Sequence, residues 1–379
     1  MKIFSSRVVV LSSLLITGFI HPALSQTTGG KTIQFLWTGR KAPWPSPKPT
    51  WLADTSYTAL DTNKNSWVVA YVPANPNGIG VVVMPGGGYL NLAGWANEGV
   101  GVSMKLNTYG ITAFILHYRV GTTSGTAAYQ HPCEMWDGQR AVRWVRAHAA
   151  DYGINPNRVG VVGFSAGGHL ATTVATHYDL GNPDSTSINF YPGPRDSIDK
   201  YSCKPDFQVL GYPMTTMIAT LNGTTYAYAP GRTALLGSSH SASLDSLMSN
   251  EMRVTSATSP AFLVYGTTDN TVNSRNSTVY RDSLKSKGIS YKELPINTSN
   301  HGFALANGVY GTSIPAAAVW PDSMWAWLQR LGLTTAISPA KNSNFHTTQK
   351  IIPENGLDVL GRFSNQPHGF ELKALPIKE

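Results

Sequence analysis

Arg158-Val159-Gly160-Val161-Val162-Gly163-Phe164-Ser165-Ala166-Gly167-Gly168-His169-Leu170 is the stretch on which the fold turns. Its first part, Arg158 to Val162, reads as a short strand buried on both faces. The residues that follow, Ala171-Thr172-Thr173-Val174-Ala175, read as a helix. Between them stands G-x-S-x-G, Gly163 to Gly167. The motif alone is poor evidence in a chain with 36 glycines. The strand before it and the helix after it give it weight. Such a corner lifts the Ser165 hydroxyl clear of the backbone, and small neighbours let the chain turn without a clash.

The same alternation extends outward. Trp67 to Val72, Ile79 to Met84, Thr112 to Tyr118, Phe207 to Tyr212, Ala261 to Tyr265 and Ile289 to Leu294 read as strands. Thr32 to Trp37 reads as an edge strand. Asn97 to Asn107, Glu134 to Tyr152, Ser274 to Lys287 and Pro321 to Leu331 read as helices. Strand and helix in alternation predict an α/β fold, a mostly parallel central sheet with helices on both faces. Residues 38–52 and 178–204 read as long loops. Residues 213–258 read as a mixed excursion with short helices, in the position of a small cap.

The chain has 379 residues, 42% hydrophobic and 13% charged, enough for one large domain or two ordinary ones. The net charge of +8 comes from scattered Lys and Arg, a pattern that suits acidic polymers but offers no nucleic-acid site. Lys2 and Arg7, the apolar run Val8 to Ile20 and the small residues around Ala23-Leu24-Ser25 read as a signal peptide over residues 1–25. A secreted protein starting near Gln26 is the expectation, with no membrane span in the mature chain. Residues 26–333 then form the catalytic domain. Residues 334–345 read as a polar linker, and 346–379 as a small tail with two short strands. Cys133 is expected before a helix at one end of the sheet and Cys203 before a strand at the other, which argues against a disulfide between them.

A serine nucleophile needs a base, an acid to orient the base, and donors for the oxyanion. On a strand–turn–helix corner the chain order is Ser, then Asp or Glu, then His. Asp269, in FLVYGTTDNTV, follows the strand ending at Tyr265; an Asx turn or helix cap is its bland alternative. His301, in NTSNHGF, follows the strand ending near Leu294. His117, His148 and His169 read as packing residues, and His240 precedes Asp269 and breaks the order. Pro85-Gly86-Gly87-Gly88-Tyr89 follows the strand ending at Met84, so Gly87 and Gly88, with Ala166, are the expected oxyanion donors. No phosphate-binding glycine pattern fits that loop. Tyr89 and Trp95 are candidate substrate contacts, as are Trp44 and Trp51, with core packing the alternative for each tryptophan.

The runs MPGGGY, NEG, HPCEMWDGQRAVRWVRAHAADYGINPNRVGVVGFSAGGHLAT, KPDFQVLGYPM, SPAFLVYGTTDNTV, NHGFAL and MWAWLQRLG carry a family resemblance. Over residues 32–333 the chain resembles the bacterial xylan acetylesterases and related carbohydrate esterases of the esterase/lipase type. The resemblance implies an α/β-hydrolase fold, a Ser165–Asp269–His301 triad and an acylated polysaccharide or oligosaccharide as substrate. It implies no metal and no cofactor. Feruloyl and simple short acyl esters are alternatives within the same family. Pro85 stands where hormone-sensitive-lipase relatives have His, which favours the carbohydrate-esterase branch. The tail resembles the sorting modules of some secreted bacterial enzymes. A prolyl-oligopeptidase-type peptidase shares the residue order, but the stretch after the signal is too short for that family's propeller. A non-catalytic binding module is disfavoured by the intact set of residues. Nothing in the sequence speaks to oligomeric state.

Overall fold

The structure, a computed structural model, describes residues 25–28, 31–37, 66–121, 129–178, 195–218, 220–221 and 224–334. Its strands are β1 (Ser25–Thr28), β2 (Lys31–Phe35), β3 (Trp67–Tyr71), β4 (Gly78–Met84), β5 (Thr112–His117), β6 (Ile154–Phe164) and β7 (Gln208–Gly211). A two-stranded hairpin, β8 (Thr220–Leu221) and β9 (Thr224–Thr225), precedes β10 (Ala261–Gly266) and β11 (Tyr291–Ile296). The main sheet has nine strands in the order β1-β2-β3-β5-β4-β6-β7-β10-β11. From β5 to β11 all neighbours run parallel, while β1, β2 and β3 join antiparallel at one side.

Burial explains why the parallel strands were legible. β4 and β10 are buried at every position, as strands covered on both faces must be, so they read as unbroken apolar runs. Thr32 to Trp37 was expected at the edge. Instead β2 pairs with β3 on one side and β1 on the other, and β1 is the edge. β1 is Ser-Gln-Thr-Thr, a polar segment without hydrophobic signal, and it pairs antiparallel with β2. Gln26, the expected mature terminus, lies within it, opposite Ile33.

The helices are α1 (Val102–Asn107), α2 (Cys133–Ala147), α3 (Ala166–Thr176), α4 (Ala229–Leu236), α5 (Ala242–Leu247), α6 (Arg275–Ser286), α7 (Pro315–Ala318) and α8 (Trp320–Arg330). The helix expected from Asn97 begins as a wide π-helical turn, Ala96–Gly101, before α1 takes over. Gly99 and Gly101 weaken the regular helix there. A side chain at Gly101 would meet the Tyr310 ring at 2.4 Å, so the turn packs closely. The helix expected to reach Tyr152 ends at Ala147, and a 3-10 turn, Ala149–Tyr152, closes on Gly153 at φ 64°.

α2 is buried on every side from Cys133 to Val145 despite its charges. Asp137 accepts from Arg119 Nε at 2.8 Å and from the Trp37 indole at 3.0 Å. Arg140 donates to Asp199 at 2.8 Å and also to Asp196. Pairing of this kind is what allows charges inside. Cys133 opens α2 and Cys203 precedes β7; both are buried free thiols. Burial pushes the Cys133 thiol up to about 12.

Residues 213–258 form the expected excursion, with the β8–β9 hairpin, α4, α5 and a 3-10 turn at Asn250–Arg253. No helix among the described residues is long and apolar enough to cross a membrane. The expected linker and tail, most of the leader, Trp44, Trp51 and much of the 178–204 loop lie outside the described residues.

Candidate active site

The site assembles at the carboxyl ends of the parallel strands. Ser165 is the corner between β6 and α3, at φ 52° and ψ −119°. That left-handed conformation costs a non-glycine residue about 1–3 kcal/mol and persists only where neighbours enforce it. The Ser165 N–H donates to the Gly211 carbonyl at 3.0 Å, and the Ser165 carbonyl accepts from Met214 N–H at 3.0 Å. The flanking glycines are required by contact. A side chain at Gly163 would fall 2.3 Å from the Gly167 carbonyl, and one at Gly167 would fall 2.0 Å from the Met84 carbonyl.

Asp269 follows β10 and His301 follows β11. His301 Nδ1 lies 2.7 Å from Asp269 Oδ2, and His301 Nε2 lies 2.8 Å from Ser165 Oγ. The Asp269 side chain is only 1% exposed. Its Oδ1 accepts from the N–H groups of Thr271 at 2.8 Å and Val272 at 2.9 Å. One carboxylate oxygen of Asp269 thus makes the Asx-turn bonds and the other faces His301 Nδ1. An ionised Asp269 can only accept, so it selects the imidazole tautomer with the proton on Nδ1. Nε2 is then a free acceptor facing the Ser165 hydroxyl, the geometry needed to take its proton.

The loop after β4 holds Gly87 at φ 146° and Gly88 at φ 64°. It folds back on itself, with Leu90 N–H and Asn91 N–H both donating to the Gly87 carbonyl, at 3.0 and 3.2 Å. A side chain at Gly87 would sit 2.2 Å from the Asn91 carbonyl. Among the described residues the N–H groups of Gly87, Gly88 and Ala166 have no acceptor. Ala166 is also the first residue of α3, where the helix dipole favours negative charge. These are the donors that sequence order assigned to an oxyanion.

A family model, BD-FAE, matches residues 69–284, more than half of the chain. The chain belongs to the BD-FAE family. The BD-FAE match contains the glycine loop, Ser165 and Asp269, and stops short of His301. An acetyl ester-xyloside bifunctional hydrolase from Caldicellulosiruptor lactoaceticus is 30% identical, with a TM-score of 0.64 over 80% of this chain and 97% of that one. An acetylxylan esterase of Xylanibacter ruminicola is 32% identical over 158 residues, covering 42% of this chain and 27% of the relative. Endo-1,4-beta-xylanase B of Butyrivibrio fibrisolvens is 29% identical over 230 residues, covering 60% of this chain and 33% of the relative. The chain thus spans a third or less of those two curated relatives. The BD-FAE domain is a carboxylic ester hydrolase domain with an α/β-hydrolase fold.

Tyr89 requires correction as a substrate contact. Its ring is 1% exposed, and its hydroxyl lies 2.8 Å from His169 Nδ1 beneath the glycine loop. A buried ring at φ 61° supports the loop and has no face for a sugar. Trp95 is half-buried, edge-on to Trp67 at 5.2 Å. An aromatic ring the sequence did not single out, Tyr228 at the N-cap of α4, lies beside Gly88. A side chain at Gly88 would meet it at 3.4 Å. The rival histidines are engaged elsewhere. His169 Nε2 lies 2.8 Å from the Met248 carbonyl, His117 stacks on Trp67 at 4.6 Å, His148 stacks on Trp144 at 4.1 Å, and His240 pairs with Asp245 at 3.0 Å. Two further residues that the structure brings against the glycine loop, Glu98 and Tyr212, were not singled out from sequence. Glu98 reads as a polar residue of the helix expected from Asn97 and as part of the NEG run, and Tyr212 as the last residue of the strand from Phe207.

Proposed function

We propose that this protein is a secreted serine esterase that removes short acyl groups, acetyl first, from plant polysaccharide such as xylan. The hydrogen-bonded line from Asp269 through His301 to Ser165 carries this reading. The names of the relatives, an acetylxylan esterase and an acetyl ester-xyloside hydrolase, support the substrate class. The apolar, positively headed N-terminal run supports export.

Neutral His301 takes the Ser165 proton as the hydroxyl oxygen attacks the ester carbonyl. Asp269 holds the imidazole in its working tautomer and stabilises the cation that forms. The N–H groups of Gly87, Gly88 and Ala166 bind the oxyanion of the tetrahedral intermediate. His301 then gives its proton to the leaving sugar hydroxyl, and an acyl-Ser165 ester remains. Water, activated by His301 in turn, releases the acid and restores the serine. Every step draws on these residues and water.

Since the base must be neutral, activity should fall reversibly on acidification. His169 and His117 are held down by burial to about 3 and about 4, so both stay neutral at mildly acid pH and take no part in the loss. A kcat/KM profile beside a melting curve checks this. Activity that stays flat down to pH 5 in folded enzyme would remove His301 from the role of base.

Tyr228 lies beside Gly88, and in this reading it crowds the acyl site. In an open apolar groove each added methylene contributes about 0.8 kcal/mol and rates rise with chain length. Here longer chains should displace the carbonyl from its donors. We expect kcat/KM on synthetic esters to peak at roughly two to four acyl carbons, about a hundredfold above eight, and Tyr228→Ala to narrow that gap. The deciding experiment compares acetate release from acetylated xylan, ferulate release from feruloylated arabinoxylan, and hydrolysis of a short synthetic ester. Ferulate release without acetate would move the enzyme to the feruloyl class and leave the serine chemistry intact.

A further inference from the structure

The π-helical turn before α1 carries a carboxylate into the core. Glu98 is 5% exposed. Its Oε2 accepts from Gly86 N–H at 2.5 Å, on the oxyanion loop. Its Oε1 accepts from the Tyr212 hydroxyl at 2.9 Å. The Tyr212 oxygen in turn accepts from Ala304 N–H at 2.9 Å, three residues past His301. The Tyr212 ring stands edge-on to the His301 imidazole at 4.8 Å and to Phe303 at 4.5 Å. Tyr212 at φ 35° and Ala304 at φ 43° are both in the left-handed region, held there by this network. Gly94 leaves room for it, since a side chain there would fall 1.9 Å from Glu98 Oε2.

Stability alone does not account for a carboxylate in this place. Burial raises the Glu98 pKa, opposed by the Gly86 N–H, the Tyr212 hydroxyl and, least, the positive charge His301 can carry. Among the described residues no Lys or Arg forms an ion pair with it. A buried carboxylate held by neutral donors costs more than an apolar or amide residue of the same size. What Glu98 does provide is a connection. Two loops from distant parts of the chain, one bearing the oxyanion donors and one bearing the base, meet through a single side chain and one tyrosine.

We infer that Glu98 is a positioning residue, a strut that acts through Tyr212 to fix the oxyanion loop and the His301 loop in register. The inference rests on the serine-esterase reading above for its kinetic consequence, and on geometry alone for the coupling. Oxyanion donors act only when aimed at the transition state, so a slack loop should lower kcat and leave ground-state binding almost unchanged. Glutamine keeps the size of Glu98 but cannot accept from both Gly86 N–H and the Tyr212 hydroxyl through two carboxylate oxygens.

The test compares Glu98→Gln, Tyr212→Phe, the double variant and Ser165→Ala on a short synthetic ester. Melting temperature and amide hydrogen exchange over 84–95 and 301–306 are followed in parallel. Glu98→Gln should lower kcat roughly 10²-fold with KM within about twofold. Tyr212→Phe should lower kcat roughly tenfold, and the double variant should fall little below Glu98→Gln, against roughly 10³-fold for independent sites. Exchange in Glu98→Gln should rise in both segments, including the one Glu98 does not touch, while the melting temperature moves only by a few degrees. The strut is overturned by a Glu98→Gln enzyme that keeps more than half its kcat, by unchanged exchange over 301–306, or by full additivity in the double variant. If Ser165→Ala hydrolyses ester as well as wild type, the serine-esterase reading fails instead, and exchange over 301–306 alone decides the coupling.

Discussion

Alanine at Ser165 should lower kcat for ester hydrolysis by roughly 10⁴-fold or more, and alanine at His301 should do about as much. The two act as one unit. Without Ser165 there is no acyl acceptor; without His301 the hydroxyl keeps its proton and attacks slowly. The double variant should therefore be little worse than either single one, because the second loss removes a partner already idle. The fold should survive both changes. Alanine keeps the Cβ that Ser165 already carries at φ 52°, and the elbow's backbone bonds to Gly211 and Met214 are untouched. His301 lies at the mouth of the site with 15% of its side chain exposed, so its loss opens space to water rather than a dry cavity. Steady-state kinetics with melting curves reads both quantities. A fluorophosphonate label on wild type, absent from Ser165→Ala, identifies the nucleophile independently. Unchanged hydrolysis in either variant would end the assignment of that residue.

The candidate residues that sequence brought forward share one property: each follows its own parallel strand, whether buried throughout like β4 and β10 or at the sheet edge like β11. β4, β6, β10 and β11 mark where the glycine loop, Ser165, Asp269 and His301 must emerge, and chain order supplies the roles. The parts it hid depend on contacts across the fold. Tyr89 follows the glycines in sequence and so looked like a pocket wall, yet the loop's own turn sends its ring down to His169. Tyr228 is far from Gly88 in the chain and comes beside it only because the cap folds back. Glu98 reads as one more polar residue on a helix; the π-helical turn that rotates it inward leaves no periodic signal. β1 was invisible for the opposite reason, since an edge strand can pair through backbone without any apolar side chain.

Asparagine at Asp269 should lower kcat by roughly 10⁴-fold while leaving the protein folded, and the two Asp269 oxygens explain why. Oδ1 accepts from Thr271 N–H and Val272 N–H, and Oδ2 faces His301 Nδ1. Asparagine has one oxygen and one NH₂ group. The loop offers two N–H donors to the Oδ1 position, so the amide oxygen is held there and the NH₂ is turned towards the imidazole. An NH₂ can only donate. His301 must then accept on Nδ1 and carry its proton on Nε2, where it confronts the Ser165 hydroxyl as a donor instead of a base. The geometry stays and the tautomer is wrong. Asp269→Ala separates the two duties, because it also removes the acceptor for the Thr271 and Val272 amides and should cost about 0.5–2 kcal/mol of stability as lost caps do. The expected pattern is a large kcat loss in both variants with a clear drop in melting temperature only in Asp269→Ala. An Asp269→Asn enzyme retaining a tenth or more of wild-type kcat would mean that another group orients His301. Equal melting temperatures for the two variants would mean that the Oδ1 bonds do not hold the loop.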